Sequence, residues 1–177
     1  MKKGISCILL AVSFAFFVSD AISKEASKTN GLRISSPVFE NNSSIPAKYS
    51  CDGMNINPPL LIENVPANTK SVALIVDDPD TVIGTYVHWV LWNIDPGTKE
   101  IKENSVPKGA NQGLNDAREH NYIGPCPPSG THRYFFKLYA LDAILTLSPD
   151  AIKADIEKAM ERHIIDQAHI TGLNKRR

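Results

Sequence analysis

Three clusters in this 177-residue chain carry side chains able to do chemistry. Asp78-Pro79-Asp80 sets two carboxylates two residues apart, and His88-Trp89 places an imidazole beside an indole. Gly124-Pro125-Cys126-Pro127-Pro128 leads shortly into His132-Arg133-Tyr134. Proline fixes its own φ, so that run reads as a rigid loop in front of a histidine. Taken singly, each cluster has a plain reading: acidic residues make turns, and a strand histidine is a hydrogen-bonded core residue. Together, two histidines, two aspartates and a tyrosine near strand ends describe a polar pocket. Histidine and tyrosine donors suit an anion, while carboxylates orient imidazoles or accept from an amine. The same set could serve an enzyme, with His88 or His132 as general base and Asp78 or Asp80 orienting it. No serine occupies a Gly-x-Ser-x-Gly setting, and Ser129 is the nearest hydroxyl to the loop. His88, His120 and His132 match no common metal-ligand spacing, so no metal or other cofactor is expected.

The elements that must hold these residues are mostly strands. Ser71 to Val76 is continuously apolar and rich in β-branched residues, the pattern of a strand buried on both faces. It runs directly into the aspartates. Tyr86 to Ile94 is a second strand, ended by the turn signal Asp95-Pro96-Gly97, and His132 to Leu141 is a third. Strict alternation predicts Tyr86, His88, Val90 and Trp92 on one face, and His132, Tyr134, Phe136, Leu138 and Ala140 on one face. From Leu32 to Tyr49, short apolar runs broken by Pro37, Asn41-Asn42 and Pro46 read as short strands and turns. The C-terminal third looks helical. Ser148 reads as N-cap and Pro149 as the first helical residue, with Asp150 and Asp155 near the positive end. Ile152, Ile156, Ala159, Met160, His163 and Ile164 would share one face. A second helical stretch is expected to reach Thr171, with Gly172 as its stop.

Composition bounds the function. Nineteen basic residues balance nineteen acidic ones, and no basic stripe is visible, which argues against a nucleic-acid partner. Twelve prolines and ten glycines suit a turn-rich β domain better than a helical bundle. Lys2 and Lys3 precede the apolar run Ile5 to Val18, and Ser19-Asp20-Ala21 supplies small residues, the layout of a signal peptide over residues 1–21. The run is shorter than the ~20 residues a spanning helix needs, so no transmembrane segment is expected after cleavage. Removal of Lys2, Lys3 and Asp20 turns a net charge of zero into −1. Residues 22–31 read as a loose polar leader and 32–177 as a single domain, placed in a periplasm or outside the cell. Cys51 and Cys126 are then the remaining cysteines, a candidate disulfide in an oxidising compartment, with two separate thiols as the alternative. Closing that loop would contribute ~4 kcal/mol in the chain-entropy account.

In sequence, Asp78-Pro79-Asp80, Val87-His88-Trp89-Val90, and Tyr122 to Pro128 followed by Gly130-Thr131-His132-Arg133-Tyr134 resemble the phosphatidylethanolamine-binding protein family, nearest its bacterial Raf kinase inhibitor-like branch. Cys51 to Leu60 and Tyr139-Ala140-Leu141-Asp142 add to the likeness. The resemblance implies an antiparallel β-sandwich of two sheets with peripheral C-terminal helices. It also implies a small cavity for phosphate-bearing ligands or phospholipid headgroups. Matching motif to motif, Asp78, Asp80, His88, Pro128, His132 and Tyr134 take pocket positions, Tyr86 forms an aromatic wall, and Cys126 lies in the pocket loop. Arg133, on the other strand face, reads as structural. The chain departs from the family pattern at Thr81-Val82, where a small residue and a proline are usual, and at Ile62, where a tryptophan is often found. It also lacks the long C-terminal helix of animal members, which weakens any expectation of kinase inhibition. The implied function is a non-enzymatic binding protein that inhibits or scaffolds a partner. A protease-inhibitor or host-interaction module is the alternative, and a His/Asp-dependent hydrolase a more distant one. The protein partner stays open, as does the oligomeric state, homodimer included.

Overall fold

The computed structural model describes Met1 and residues 31–176; the segment expected as a signal peptide, Met1 apart, and nearly all of the expected leader lie outside the described residues. Among the described residues nine strands and one α-helix follow in order, besides a 3-10 turn at Ala47–Tyr49: β1 Arg33–Ser35, β2 Ser43–Ser44, β3 Leu60–Glu63, β4 Ser71–Asp78, β5 Tyr86–Ile94, β6 Glu100–Ile101, β7 Asn111–Gln112, β8 Thr131–Leu141, α1 Lys153–Met160 and β9 Ile164–Lys175. They form a three-stranded sheet, β1-β3-β6, and a six-stranded sheet, β2-β9-β8-β4-β5-β7. Pairings are antiparallel except β2 with β9, which is parallel. Among the described residues, no helix is long and apolar enough to cross a membrane.

Two apolar layers hold the sheets. Between them lie Ile34, Leu60, Ile62, Leu74, Trp89, Leu91, Phe136 and Leu138. On the far side of the six-stranded sheet, Ala73, Ile75, Val90 and Trp92 meet Ile156 and Met160 of α1. Every residue of β4 is buried, because it is central in the sheet and covered on both faces. Asp77 and Asp78 end this strand facing opposite ways. Asp77 is completely buried beneath α1, where its Oδ2 accepts from Lys137 (2.8 Å) and Lys153 (2.6 Å).

Alternation holds along β8 and fails along β5. Val76 pairs with Trp89 but Asp77 pairs with Val87, so His88 is an extra residue in the ladder. Such a bulge turns two successive side chains toward one side. Tyr86 and His88 therefore join the face of Trp89 and Leu91, whereas Val90 and Trp92 belong to the layer under α1. A second irregularity falls at Asn93, with φ 55°, whose side-chain amide exchanges two hydrogen bonds with the Leu145 backbone.

The C-terminal third differs most from its sequence reading. Ser148 organises a turn, its Oγ accepting from Asp150 N, and α1 begins only at Lys153 after an extended Ile152. Asp155 does sit in the first turn, accepting from Ile152 N at 3.0 Å, but Asp150 bonds His120 instead. The expected second helical stretch is the long strand β9. Its β-branched residues Ile164, Ile165, Ile170 and Thr171 favour extended backbone, and the full-length ladder with β8 overrides the helical spacing. Gly172 is no stop. It lies inside β9, where a Cβ would meet the side chain of Ile45 and come within 3.2 Å of Phe39. Gly172→Ala is expected to destabilise the fold by roughly 1–3 kcal/mol through overpacking. Urea unfolding read by tryptophan fluorescence measures this; an unchanged midpoint would show that Ile45 can move aside without cost.

Candidate functional site

At one end of the six-stranded sheet, β4 finishes, β5 starts, β8 starts and β9 finishes, and a cavity of about 240 Å³ opens there. Asp78 closes its floor. That carboxylate is 2 % exposed; its Oδ2 accepts from His132 Nδ1 at 2.8 Å and its Oδ1 from the Asp80 N–H at 2.8 Å. His132 is thereby fixed in orientation, with Nε2 free for an occupant. His88 is held from the opposite side, its Nδ1 donating to the Ile123 carbonyl at 2.7 Å. Burial pushes the His88 imidazole below its ordinary value; the Ile123 carbonyl and the nearby carboxylates of Asp78, Asp77 and Asp116 offset this only in part. The ring stands edge-on between Tyr86 and Tyr134, with centroids at 5.0 and 5.2 Å. The Tyr134 hydroxyl is buried beside the Asp78 carboxylate and the Cys126 backbone, and burial together with that carboxylate keeps the phenol protonated. A protonated phenol at this position is a hydrogen-bond donor within the cavity lining.

The loop before β8 forms the wall. Gly124 lines the cavity, and its N–H donates to Asn55 Oδ1 at 2.7 Å. Only glycine fits here, since a Cβ would crowd the Tyr49 carbonyl and stand 2.8 Å from Ser50 Cα. Cys51 N donates to the Pro125 carbonyl, and Cys51 and Cys126 are joined as a disulfide with Cα atoms 5.4 Å apart. Cys126 and Pro128 are exposed at the rim.

A domain model described as phosphatidylethanolamine-binding protein matches residues 35–175. The chain belongs to the phosphatidylethanolamine-binding protein family. A UPF0098 protein of Methanothermobacter thermautotrophicus is 46% identical over 150 residues, covering 82% of this chain and 99% of its own. Another, from Pyrococcus horikoshii, is 49% identical over 156 residues, covering 82% of this chain and 77% of its own. A crystal structure of a putative phosphatidylethanolamine-binding protein homologue from Chlamydia trachomatis superposes with TM-score 0.81 at 38% identity, over 84% of this chain and all of that one. E. coli YbcL, described as a member of the mammalian family, gives TM-score 0.78 at 26% identity, over 82% and 99%.

Of the positions carried over from that family, Asp78, Tyr86, His88, Cys126, Pro128, His132 and Tyr134 all line one cavity. Asp80 does not. Its carboxylate turns outward to Arg133, accepting from Nε at 2.9 Å, Nη2 at 2.6 Å and the backbone N–H at 2.9 Å. That guanidinium holds the Asp80 carboxyl down at about 2. Arg133 does leave by the outer face, and it takes the second aspartate with it. Motif reading missed Thr81, Ile123 and Asn55; the first two line the wall and the third pins it. Asn55, at φ 55°, carries only the weak signal of a residue type that tolerates left-handed backbone. Among the described residues, no three His, Cys, Asp or Glu side chains converge as a metal cluster.

Asp78→Ala removes both anchors at once and leaves His132 buried without its partner. A loss on the order of 3 kcal/mol is expected. Urea titration gives the magnitude, and a His132 imidazole resonance unchanged by the substitution would contradict the assigned bond.

Proposed function

We propose that this family member is an exported, non-enzymatic binding protein whose cavity takes the phosphate of a small molecule or phospholipid headgroup. The observation that carries the reading is the paired fixing of His88 and His132 through Nδ1. This leaves two Nε2 atoms to one occupant, in a cavity that the Tyr134 phenol also lines. Protonated imidazoles give charge-assisted bonds to phosphate oxygens, stronger than neutral ones. Asp78 is satisfied twice over, and so it orients His132 rather than competing for the anion. Hydrolysis finds less support: among the described residues no serine or threonine hydroxyl is hydrogen-bonded to either histidine, and the Thr81 hydroxyl at the cavity is committed to the Gly84 carbonyl. The joined Cys51–Cys126 pair, both cysteines exposed, fits an oxidising compartment and supports export.

Calorimetric titration with phosphoethanolamine tests the cavity. His88→Ala and His132→Ala should each cost roughly 1.5–3 kcal/mol, a tenfold to hundredfold weakening. Wild-type affinity in both variants would refute the anion reading. A pH series adds a second handle. His88 is shifted down by burial, so its charged form is present only below a midpoint lower than about 6.5. Binding should fall as pH rises through that depressed midpoint. Sulfate, whose charge is constant over this range, should show the same loss. The sign reverses for the ligand-free fold. Because the unfolded chain protonates His88 first, stability should decline as pH drops below the ordinary histidine range.

A further inference from the structure

A second cavity, of about 300 Å³, shares a wall with the first and has the size of a small-molecule site. His88 and Ile123 line the first cavity, while Trp89 and Tyr122, next to them in the chain, line the second. Asn55 lines the second and pins Gly124 of the first.

The chemistry of the second cavity is different. Charged residues make up 21% of the chain, yet none of the ten residues lining this cavity carries a charge. Five are carboxamides: Asn55, Asn57, Asn104, Gln112 and Asn121. Three of them build the frame. Asn57 donates to the Pro58 and Lys102 carbonyls and accepts from Ser105 N. Gln112 accepts from Trp89 Nε1 at 2.6 Å and donates to the His120 carbonyl, and Asn121 is held by Asn115 and Glu119. The other two are left to an occupant. Asn55 uses only its Oδ1, on Gly124 N, and the Asn104 carboxamide bonds nothing among the described residues. Both are exposed, and both stand on left-handed backbone, at φ 55° and 51°, a conformation asparagine tolerates. Between them, Ser105 Oγ donates to the Lys102 carbonyl and keeps its lone pairs. Ile56 and Val106 add apolar surface.

A charged ligand entering this lining would lose hydration and meet no counter-charge. A carboxamide sets a donor and an acceptor side by side, and neighbouring hydroxyls, each able to donate and accept, are its complement. A peptide is equally uncharged, but its trans amides put N–H and C=O on opposite edges, a poorer match. We propose that the second cavity binds an uncharged sugar, with Asn55 and Asn104 holding its hydroxyls and Ile56 and Val106 meeting its C–H surface.

This site stands whether or not the first cavity takes phosphate. The two tryptophans supply the readout: Trp89 reaches the site through Gln112, and Trp92 lies in the other apolar layer, beneath α1. Nitrogen-15-labelled protein is titrated with the methyl glycosides of glucose, galactose and mannose. At least one should shift the Trp89 indole N–H resonance and leave that of Trp92 in place. Asn104→Gly deletes the carboxamide and keeps the left-handed backbone accessible. Val106→Glu puts a charge on the exposed rim. Each should weaken the sugar about tenfold and leave a titration with phosphoethanolamine as in wild type. The site is overturned if no glycoside moves Trp89 before Trp92, or if both variants bind sugar as tightly as wild type. N-acetylglycinamide moving Trp89 at lower concentration than every glycoside overturns the sugar in favour of a peptide. Displacement of the sugar by phosphoethanolamine puts it in the first cavity and overturns the second site. Sugar binding with no binding of phosphoethanolamine supports this site and overturns the phosphate reading of the first cavity.

Discussion

Asp78 brings a carboxylate into the interior at the end of a strand, and a charge placed there must be satisfied on both oxygens. His132 satisfies one and the Asp80 N–H the other. The first bond ties β4 to β8 across the sheet end and sets the imidazole; the second bends the chain out of β4 into the loop that carries Thr81 to Gly84. Cavity floor, ring orientation and loop direction thus follow from the solvation needs of one group. The neighbouring Asp77 is paired on the opposite face at one oxygen only, Oδ2 taking both lysines while Oδ1 is buried without a partner, and there the result is attachment of α1. Adjacent aspartates of like chemistry do different work because the strand's alternation sends them to different sides.

The cavity wall is built on another logic. Residues 122–128 have no ladder to hold them, so separate ties take its place: Ile123 to His88, Gly124 to Asn55, Pro125 to Cys51, and the disulfide at Cys126. Prolines remove backbone freedom between these ties. The outcome is a loop tied at Ile123, Gly124, Pro125 and Cys126 and placed against two histidines held by strands.

Where hydrophobic pattern and strand alternation agree, as along β4 and β8, the sequence was enough to place side chains on faces. It failed along β5 because a bulge is a property of the ladder: His88 becomes the extra residue only when β4 is set beside it. It failed at Asp80 for a related reason. Two carboxylates at that spacing look equivalent until Arg133, more than fifty residues later, takes one of them. It failed most widely at β9. Ile164, Ala168 and Ile170 admit either a helical or an extended reading, and only pairing with β8 decides between them. Asp78, Tyr86, His88, Cys126, Pro128, His132 and Tyr134 were named through family motifs that are short and ordered, and the structure sets those seven round one cavity.

The place of β9 has a consequence for how the molecule is assembled. It follows every other element along the chain, yet it lies between β2 and β8, with Ile170 in the inter-sheet layer. Until its twelve residues arrive, β8 is an open edge and β2 has no neighbour at all. Pairings over such sequence separations carry a large loop-closure cost and slow the final step. A chain interrupted before Ile164 would hold most of its apolar residues and still lack a closed sheet, and the exposed edge of β8 would invite association with other copies. Completion of the sheet is in this sense vectorial: the last strand to arrive is the one that makes the earlier ones a single body.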